Sequence, residues 1–567
     1  MQHRASSRFL KAINNLGGIR SFGGVAHAGD PRLRGGKNSI FDLGNRGVEA
    51  NIHFVFVKGK NRLVLSAKVY GYSKNGSRVS RLLRLLEEGS FRSVVLGVSS
   101  APELLWPIPE NSSGPVAFHG ILGEREGDAM GRLSWPFVAG AFPTIERAEG
   151  VYLYDASGAA ILDAAGGAVV TNIGHGRRRV AEAMARSASA TSYVVPPFPT
   201  PDRQALVDLL GDHWLPTTMT RAHFASGGTE ANEAAMKLAL QYQQAIGETQ
   251  RTKLMGRSIS YHGTTLSTAA ISGHPLRKRG LESALPSFLE VPSPYPLRAP
   301  CGINHDQLAD FYVDQMRAVI DFEGPETIAG LIAEPITGSS GGAIVPPDAY
   351  WSKVRALCDE FGIVLILDEV MTGFGRTGKV FGYQHWPITP DILVSGKGLA
   401  GGYAPLGGVF TSEPIGTAIA NAGYQVMFNT FGAHPAACAA AVEVLTILSE
   451  ESLVQAAEEK GDYLHKRLQA EFSEHPYVAE VRGRGLLAAI EVVASRDTLA
   501  RFEPEAMMTS KIVAEGLQRG VFFYAGGTGE VRDIVCMGPP FVISLEEIDH
   551  LVSILRQAVD AAVEQVN

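Results

Sequence analysis

A lysine between two glycines is the residue whose surroundings point most directly to chemistry. Lys397 follows the apolar run 391–395 and lies between Gly396 and Gly398. A lysine at the end of a buried strand can be desolvated, lose its proton and attack a carbonyl group. The small residues 400–402 leave space for a bulky ring. The segment therefore predicts a nucleophilic amine beside a ring-binding space.

A second apolar run, residues 362–367, ends in Asp368 and Glu369. Asp368 could pair with a cationic ring nitrogen and keep it protonated, as an electron-accepting cofactor requires. Alternatively, the run and its acidic pair resemble the Mg²⁺-binding strand of a P-loop ATPase, because residues 373–379 have phosphate-loop spacing. However, Val380 stands where Mg²⁺ binding needs Ser or Thr, and a phosphate loop should precede the acidic strand. These two features speak against an ATPase.

Two further segments suit the ends of a phosphorylated ring. Gly227 and Gly228 precede Thr229 and a helical pattern, and the first turn of a helix offers free N–H groups to a phosphate. An ordinary helix cap would explain the same residues. Tyr261 follows another apolar run and would offer a flat face for stacking, with a buried core tyrosine as the alternative.

The elements that must position these residues alternate between strand and helix patterns. Short apolar runs are separated by helix-length segments such as residues 348–361. This alternation predicts a mostly parallel sheet between helices, with ligands at the carboxyl ends of its strands. All four segments lie there. The pattern predicts a large domain over residues 196–435 and a smaller α/β domain built from residues 130–195 and 436–567.

Composition excludes several classes of protein. The 567-residue chain has a net charge of −7 and four cysteines that form no CxxC pair, so nucleic-acid binding, a metal site and a disulfide framework are not expected. No apolar run has the length of a membrane span, and a reducing, cytoplasmic location is expected.

The N-terminal region differs from the rest of the chain. Residues 1–100 contain 17 Lys and Arg against 5 Asp and Glu. We interpret residues 1–129 as an extension of unknown role, either a disordered tail or sequence upstream of the true start. It contains one strand-like run, residues 52–57, and one helical pattern, residues 81–88, and we find no chemistry in it.

Together, these segments resemble the class III aminotransferases, the ω-aminotransferase group of the fold-type-I pyridoxal-phosphate enzymes. The resemblance extends from about residue 136 to the C-terminus. The matching segments are NIGHG (172–176), GGTEANEAA (227–235), YHG (261–263), AEP (333–335), DEVMTGFGRTG (368–378), SGKGLAGGYAPLG (395–407), TFGAHP (430–435), RGRGLLAAIE (482–491) and PPFVIS (539–544). The resemblance implies the fold-type-I architecture, an α/β fold with a large and a smaller domain.

The resemblance also implies a role for individual residues toward pyridoxal 5′-phosphate. Lys397 would hold the cofactor as a Schiff base and carry a proton between substrate and cofactor. Asp368 would keep the ring nitrogen protonated, and Val370 and Tyr261 would sandwich the ring.

Three other residues would bind the phosphate. Gly228 and Thr229 would hold it at the helix N-terminus. Thr430 matches a threonine that reaches the phosphate of the neighbouring subunit, which implies a homodimer with shared active sites. The implied activity is transfer of an amino group from an ω-amino acid or amine donor to a keto acid, with pyruvate favoured, by a ping-pong mechanism. An aminomutase or decarboxylase of the same fold is the alternative.

Two departures from the family pattern concern the substrate. Met371 stands where many members have a glutamine, which disfavours acetylornithine and 4-aminobutyrate:2-oxoglutarate types. Members that use pyruvate often have an arginine about ten residues before a Pro-Pro pair, where it binds a substrate carboxylate. Here the Gly-rich segment 525–530 occupies that place, and Arg532 is the nearest arginine. The group that binds a carboxylate is therefore left open.

Overall fold

The computed structural model describes residues 142–425 and 428–566, together with the backbone of four strands nearer the N-terminus. The chain divides into two compact units, Met1–Glu110 and Asn111–Asn567. The strands of the first unit are β1 (Ser39–Asp42), β2 (Asn51–Gly59), β3 (Arg62–Tyr70) and β4 (Leu96–Val98). They form one sheet in that order, with only the β3–β4 pair parallel. The strand-like run 52–57 lies within β2, and the helical pattern 81–88 lies outside the described residues.

The second unit contains fifteen strands among its described residues. They are β5 (Ile145–Glu149), β6 (Tyr152–Asp155), β7 (Ala160–Asp163), β8 (Met219–Ala225), β9 (Lys253–Arg257), β10 (Leu289–Val291), β11 (Ile328–Ala333), β12 (Val364–Asp368), β13 (Ile392–Ser395), β14 (Gly407–Ser412), β15 (Val478–Arg484), β16 (Leu487–Val492), β17 (Val521–Phe522), β18 (Tyr524–Thr528) and β19 (Val531–Met537).

The helices of this unit surround and connect the strands. The α-helices are α1 (Gly166–Val169), α2 (Arg178–Ala190), α3 (Pro201–Leu209), α4 (Gly228–Ala245), α5 (Leu266–Ile271), α6 (Pro275–Lys278), α7 (Leu308–Glu323), α8 (Tyr350–Phe361), α9 (Glu413–Asn421), α10 (Pro435–Glu450), α11 (Leu453–Phe472), α12 (Met508–Gln518) and α13 (Leu545–Glu564). None of the helices in the described residues has both the length and the apolar character needed to cross a membrane.

The largest sheet has seven strands in the order β10-β9-β11-β12-β13-β14-β8. Six of these strands run in one direction, and β14 runs in the opposite direction between β13 and β8. Every residue of β11, β12 and β13 is buried. Strands buried on both faces need no alternation of polar and apolar residues, which is why these segments are continuous apolar runs in the sequence. The predicted mostly parallel sheet between helices is confirmed.

Two separate hydrophobic cores cover the faces of this sheet. In β12, Val364 and Ile366 belong to one core, and Leu365 and Leu367 belong to the other. This division follows from the two-residue period of a strand, which points successive side chains to opposite faces. Helix α4 supplies alanines to the first core, and α8 supplies larger side chains such as Trp351 to the second. The sheet is therefore a middle layer between two helical layers.

Two smaller four-stranded sheets complete the second unit. One has the order β15-β16-β19-β18 and is antiparallel throughout, and the other has the order β17-β7-β6-β5. In the latter, Val521 of β17 pairs in parallel with Leu162 of β7. Segments far apart in sequence thus share one sheet. The predicted domain boundaries at residues 129, 195 and 435 stay a prediction.

A buried arginine joins the large sheet to the smaller ones. The guanidinium of Arg376, in the loop after β12, donates to the carbonyl oxygens of Thr171 (2.9 Å), Leu486 (3.2 Å) and Pro539 (2.6 Å). It also lies 4.7 Å from the ring centroid of Phe541. Three carbonyls and an aromatic face satisfy a cation that has no carboxylate partner among the described residues. Arg376 therefore fixes the loop after β12 against segments from the early and the late part of the unit's sequence.

Candidate active site

The sequence-predicted residues come together at the carboxyl edge of the large sheet. Asp368 ends β12 and is in register with Val394 of β13, so Lys397 follows three residues later on the adjacent strand's path. Thr229 lies in the first turn of α4, and Tyr261 follows β9. Parallel strands bring their following residues to one edge, which explains this convergence.

Glycine at position 228 permits a close approach of three segments. A Cβ atom at Gly228 would lie 2.8 Å from Cγ1 of Val370, closer than side chains pack. A Cβ atom at Gly396 would lie 3.3 Å from the same methyl group and 3.5 Å from the backbone nitrogen of Gly228. Gly228, Val370 and Gly396 therefore pack so closely that a side chain at either glycine would crowd its neighbours.

The start of α4 is suited to an anion. The N–H groups of a helix's first turn have no acceptor within the helix and carry the positive end of its dipole. The Thr229 hydroxyl has no hydrogen-bond partner among the described residues, and it lies beside Gly263, where a Cβ atom would be 2.7 Å from it. A hydroxyl and free N–H groups thus face the same place.

Asp368 is held by three donors. Its Oδ2 accepts from Asn232 Nδ2 (2.7 Å) and from His262 Nδ1 (2.8 Å), and its Oδ1 accepts from the Val370 backbone N–H (3.0 Å). A carboxylate accepts, so the His262 proton is on Nδ1. The carboxylate is buried, and these bonds replace the water it lost. One Oδ1 lone pair remains for a further donor.

Asn232 and His262 are functional residues that sequence reasoning did not identify. Both belong to matching segments, GGTEANEAA and YHG, but neither received a role. Asn232 also donates to the His262 carbonyl oxygen (2.9 Å), which locks the two side-chain donors together. The sequence did contain a sign of Asn232: it is an asparagine among alanines on the buried face of α4. A buried polar side chain requires a hydrogen-bond partner.

Lys397 lies in an unusual backbone conformation. Its φ is +39°, a region that residues other than glycine seldom adopt, and it begins a single 3-10 turn. Asn172, from the NIGHG segment, donates to the Gly398 carbonyl oxygen (2.9 Å) and holds this turn. Burial lowers the pKa of Lys397 to about 8, although the charges of Asp368 and Glu334 act in the opposite direction. The strain and the low pKa both occur at the predicted nucleophile.

Glu334, from the AEP segment, is a third residue of the site without a predicted role. Its Oε1 accepts from the Gly338 N–H (2.9 Å) and its Oε2 accepts from the Tyr261 N–H (3.3 Å). Burial raises the pKa of Glu334. The carboxylate therefore fixes the backbone of Tyr261, whose ring contacts the guanidinium of Arg277 (5.0 Å) and the edge of His274 (6.2 Å).

Three residues considered in the sequence have partners elsewhere. Glu369 accepts from the N–H groups of Gly382 (2.8 Å) and Tyr383 (2.7 Å), and burial raises its pKa to about 7. Lys379, the lysine of the alternative phosphate loop, pairs with Glu458 of α11 (2.6 Å). Arg532 donates to the Phe502 carbonyl oxygen (2.9 Å).

The low pKa of Lys397 predicts its reactivity. In protein freed of small ligands, acetylation of Lys397 should rise with pH to a midpoint near 8, because only the neutral amine reacts and burial disfavours the charged form. Pulsed acetylation followed by peptide mapping would measure this and compare Lys397 with the other lysines. A midpoint near the ordinary value of 10.5 would contradict the assignment.

Comparison with known proteins identifies relatives of this chain. The chain is 33% identical over 419 residues to the putrescine–pyruvate aminotransferase of Pseudomonas aeruginosa, covering 73% of this chain and 90% of that protein. It is 37% identical over 438 residues to the uncharacterised aminotransferase YodT of Bacillus subtilis, covering 76% and 97%. The structure of the omega transaminase of Pseudomonas jessenii in complex with PMP superposes with a TM-score of 0.72 at 32% identity, covering 76% and 97%.

A family model gives the same assignment. The model described as aminotransferase class-III matches residues 138–559, which include every segment that the sequence resemblance rested on. PMP is the aminated form of pyridoxal phosphate, so the cofactor expected from the sequence is the one used by such enzymes. The chain belongs to the class III aminotransferases, pyridoxal-phosphate enzymes of the fold-type-I architecture.

Proposed function

We propose that this enzyme transfers an amino group from an ω-amino acid or amine donor to a keto acid, with pyruvate favoured, in two half-reactions at one site. The observation that carries the proposal is the presence of two groups at one sheet edge. One is the buried carboxylate of Asp368, which accepts three hydrogen bonds, and the other is the partly buried Lys397, whose pKa is lowered. Such a reaction needs a carboxylate that binds the ring nitrogen of the cofactor and an amine that carries a proton.

The residues present fit the cofactor. Pyridoxal phosphate, when bound, supplies an electron sink for the bond that breaks at the substrate carbon. Asp368 keeps one Oδ1 lone pair for the ring N–H, while Asn232 and His262 donate to its Oδ2. Val370 and Tyr261, both partly exposed, are assigned to the two faces of the ring. Gly228 and Thr229 are assigned to the phosphate.

Lys397 is assigned two tasks. Its amine would hold the cofactor, and the same amine, when free, would carry a proton to or from the substrate carbon. A group with a pKa near 8 exchanges protons readily at neutral pH, whereas an ordinary lysine stays charged. The nearby charges of Asp368 and Glu334 keep the pKa from falling further.

The preference for pyruvate is supported by the apolar residue Met371 and by the name of one related enzyme. A Cβ atom at Gly338 would lie 2.8 Å from the Met371 sulfur and 2.9 Å from Glu334 Oε1, so Met371 fills space against the loop that follows β11. A relative at 33% identity is named for putrescine and pyruvate. The same residues would serve an aminomutase or decarboxylase, because pocket geometry decides which bond breaks.

We also propose that the enzyme is a homodimer whose active sites are shared through Thr430. Thr430 is exposed and is flanked by Phe428 and Phe431, whose side chains are 58% and 60% exposed. Phe431 packs edge-on against Tyr193 (6.1 Å), which is also exposed. Clustered exposed aromatic side chains are typical of a protein interface.

A buried arginine holds this aromatic surface in place. Arg203 donates to the carbonyl oxygens of Ala433 (2.7 Å), Val195 (3.1 Å) and Phe198 (2.6 Å). It thereby joins the loop before α3 to the loop that carries Thr430. A surface fixed before association loses less conformational entropy on binding, which supports a role as an interface. A cytoplasmic location stays a prediction.

Transamination predicts a single turnover when the acceptor is absent. Holoenzyme mixed with an amine donor and no keto acid should consume about one equivalent of donor per site and stop, since the amino group remains on the cofactor. Pyruvate should then restore the starting absorbance and yield alanine, with 2-oxoglutarate as the rival acceptor. Continued turnover or CO₂ release without acceptor would point to an aminomutase or decarboxylase.

Site sharing predicts rescue between two defective chains. Thr430→Val should weaken cofactor affinity by about tenfold or more through loss of a charge-assisted hydrogen bond, and Thr218→Val, an exposed threonine outside the site, should not. Lys397→Ala alone should be inactive. Mixed dimers of Lys397→Ala and Thr430→Val chains should regain one intact site. No recovery after verified subunit exchange would refute a role for Thr430 across the interface.

A further inference from the structure

The guanidinium of Arg277 is available beside the candidate site. It lies 5.0 Å from the ring centroid of Tyr261 and pairs with no carboxylate among residues 142–425 and 428–566. Two buried arginines of the same unit are occupied, since Arg482 pairs with Glu491 (2.7 Å) and Arg376 binds carbonyls. A guanidinium against an aromatic face keeps its edge N–H groups free for an acceptor.

The helix that carries Arg277 is held rigidly. Helix α6 begins after His274, which is buried, and the adjacent Lys278 donates to the Ala270 carbonyl oxygen (2.8 Å). Tyr261 itself is bound through its backbone to Glu334. The guanidinium is therefore placed by two anchored segments, which lowers the entropic cost of using it for binding.

A glycine turn brings the smaller sheet against this helix. Gly529, between β18 and β19, has a φ of +68°, and a Cβ atom there would lie 3.1 Å from Cγ of Pro275. This residue stands ten positions before Pro539. The Gly527 N–H donates to the Ser339 carbonyl oxygen (2.7 Å), beside the loop that contacts Met371. The turn therefore contacts both α6 and the loop that carries Gly338 and Ser339.

Tyr524, at the start of β18, is influenced by the same guanidinium. Burial raises the pKa of Tyr524, and the positive charge of Arg277 acts in the opposite direction. The contact that places the guanidinium is the one with the Tyr261 ring. An unpaired guanidinium held over an aromatic ring has the surroundings of an anion-binding group.

We propose that Arg277 binds the carboxylate of the keto-acid acceptor and of amino-acid donors. The inference deepens the proposed transaminase function and rests on it. A planar guanidinium forms two parallel hydrogen bonds with a carboxylate, so it recognises both the charge and the orientation of the substrate. Arg532 is less suited because it donates to Phe502 and pairs with Glu530 (3.2 Å).

Binding of an unreactive carboxylate tests this assignment without turnover. In a calorimetric titration of holoenzyme with propionate, Arg277→Leu should weaken the Kd by about tenfold to a hundredfold, and Arg277→Lys should weaken it less. The matched control is Arg279→Leu, an exposed arginine two residues away for which no ring contact is found among the described residues, and it should leave the Kd unchanged. An unchanged Kd in Arg277→Leu, or the same loss in Arg532→Leu, would overturn the proposal.

Kinetics separate recognition from a structural defect. In Arg277→Leu, kcat/KM for pyruvate should fall by about tenfold to a hundredfold, mainly through KM, while kcat/KM for propanal, which has no carboxylate, should be unchanged. Equal losses for both acceptors would show that Arg277 only supports the fold. If wild-type enzyme transferred no amino group to either acceptor, the proposed function would fail, while the propionate titration would still decide the role of Arg277.

Discussion

The burial of the Asp368 carboxylate is the constraint on which the rest of the site depends. An ionised carboxylate is costly to remove from water unless donors replace the hydration. Here those donors come from α4 (Asn232), from the loop after β9 (His262) and from the loop after β12 (Val370). Satisfying one charge therefore fixes three segments relative to one another. Those same segments carry Thr229, Tyr261 and the Val370 side chain.

The lysine is positioned by a different mechanism, since backbone geometry sets its place. Parallel pairing of β12 with β13 brings Lys397 beside Asp368, and the positive φ of Lys397 turns its side chain out of the strand direction. Such a conformation costs about 1–3 kcal/mol and persists only where surrounding contacts enforce it. The Asn172 hydrogen bond to Gly398 is one such contact. The NIGHG segment thus helps to hold the turn that carries Lys397.

Residues adjacent to a strong local pattern could be predicted from the sequence. Lys397 and Asp368 each follow a continuous apolar run, and a parallel sheet places such residues at one edge. Asn232, His262 and Glu334 were missed because their partners are about 70–140 positions away along the chain, so no local spacing reveals the pairing. Arg277 was missed for a related reason: an exposed arginine on a one-turn helix has no distinctive pattern until Tyr261 is placed beside it. The partner proposed for Thr430 belongs to a second copy of the chain, so contacts within one chain do not reveal it.

The measurement that tests the central assignment most directly is the identification of the lysine joined to the cofactor. Borohydride reduction of the yellow holoenzyme, followed by proteolysis and mass spectrometry, should place the cofactor on Lys397 alone. The chain has other lysines, including Lys278 and Lys379, so the result is not guaranteed by composition. Modification at any of these in place of Lys397 would contradict the account.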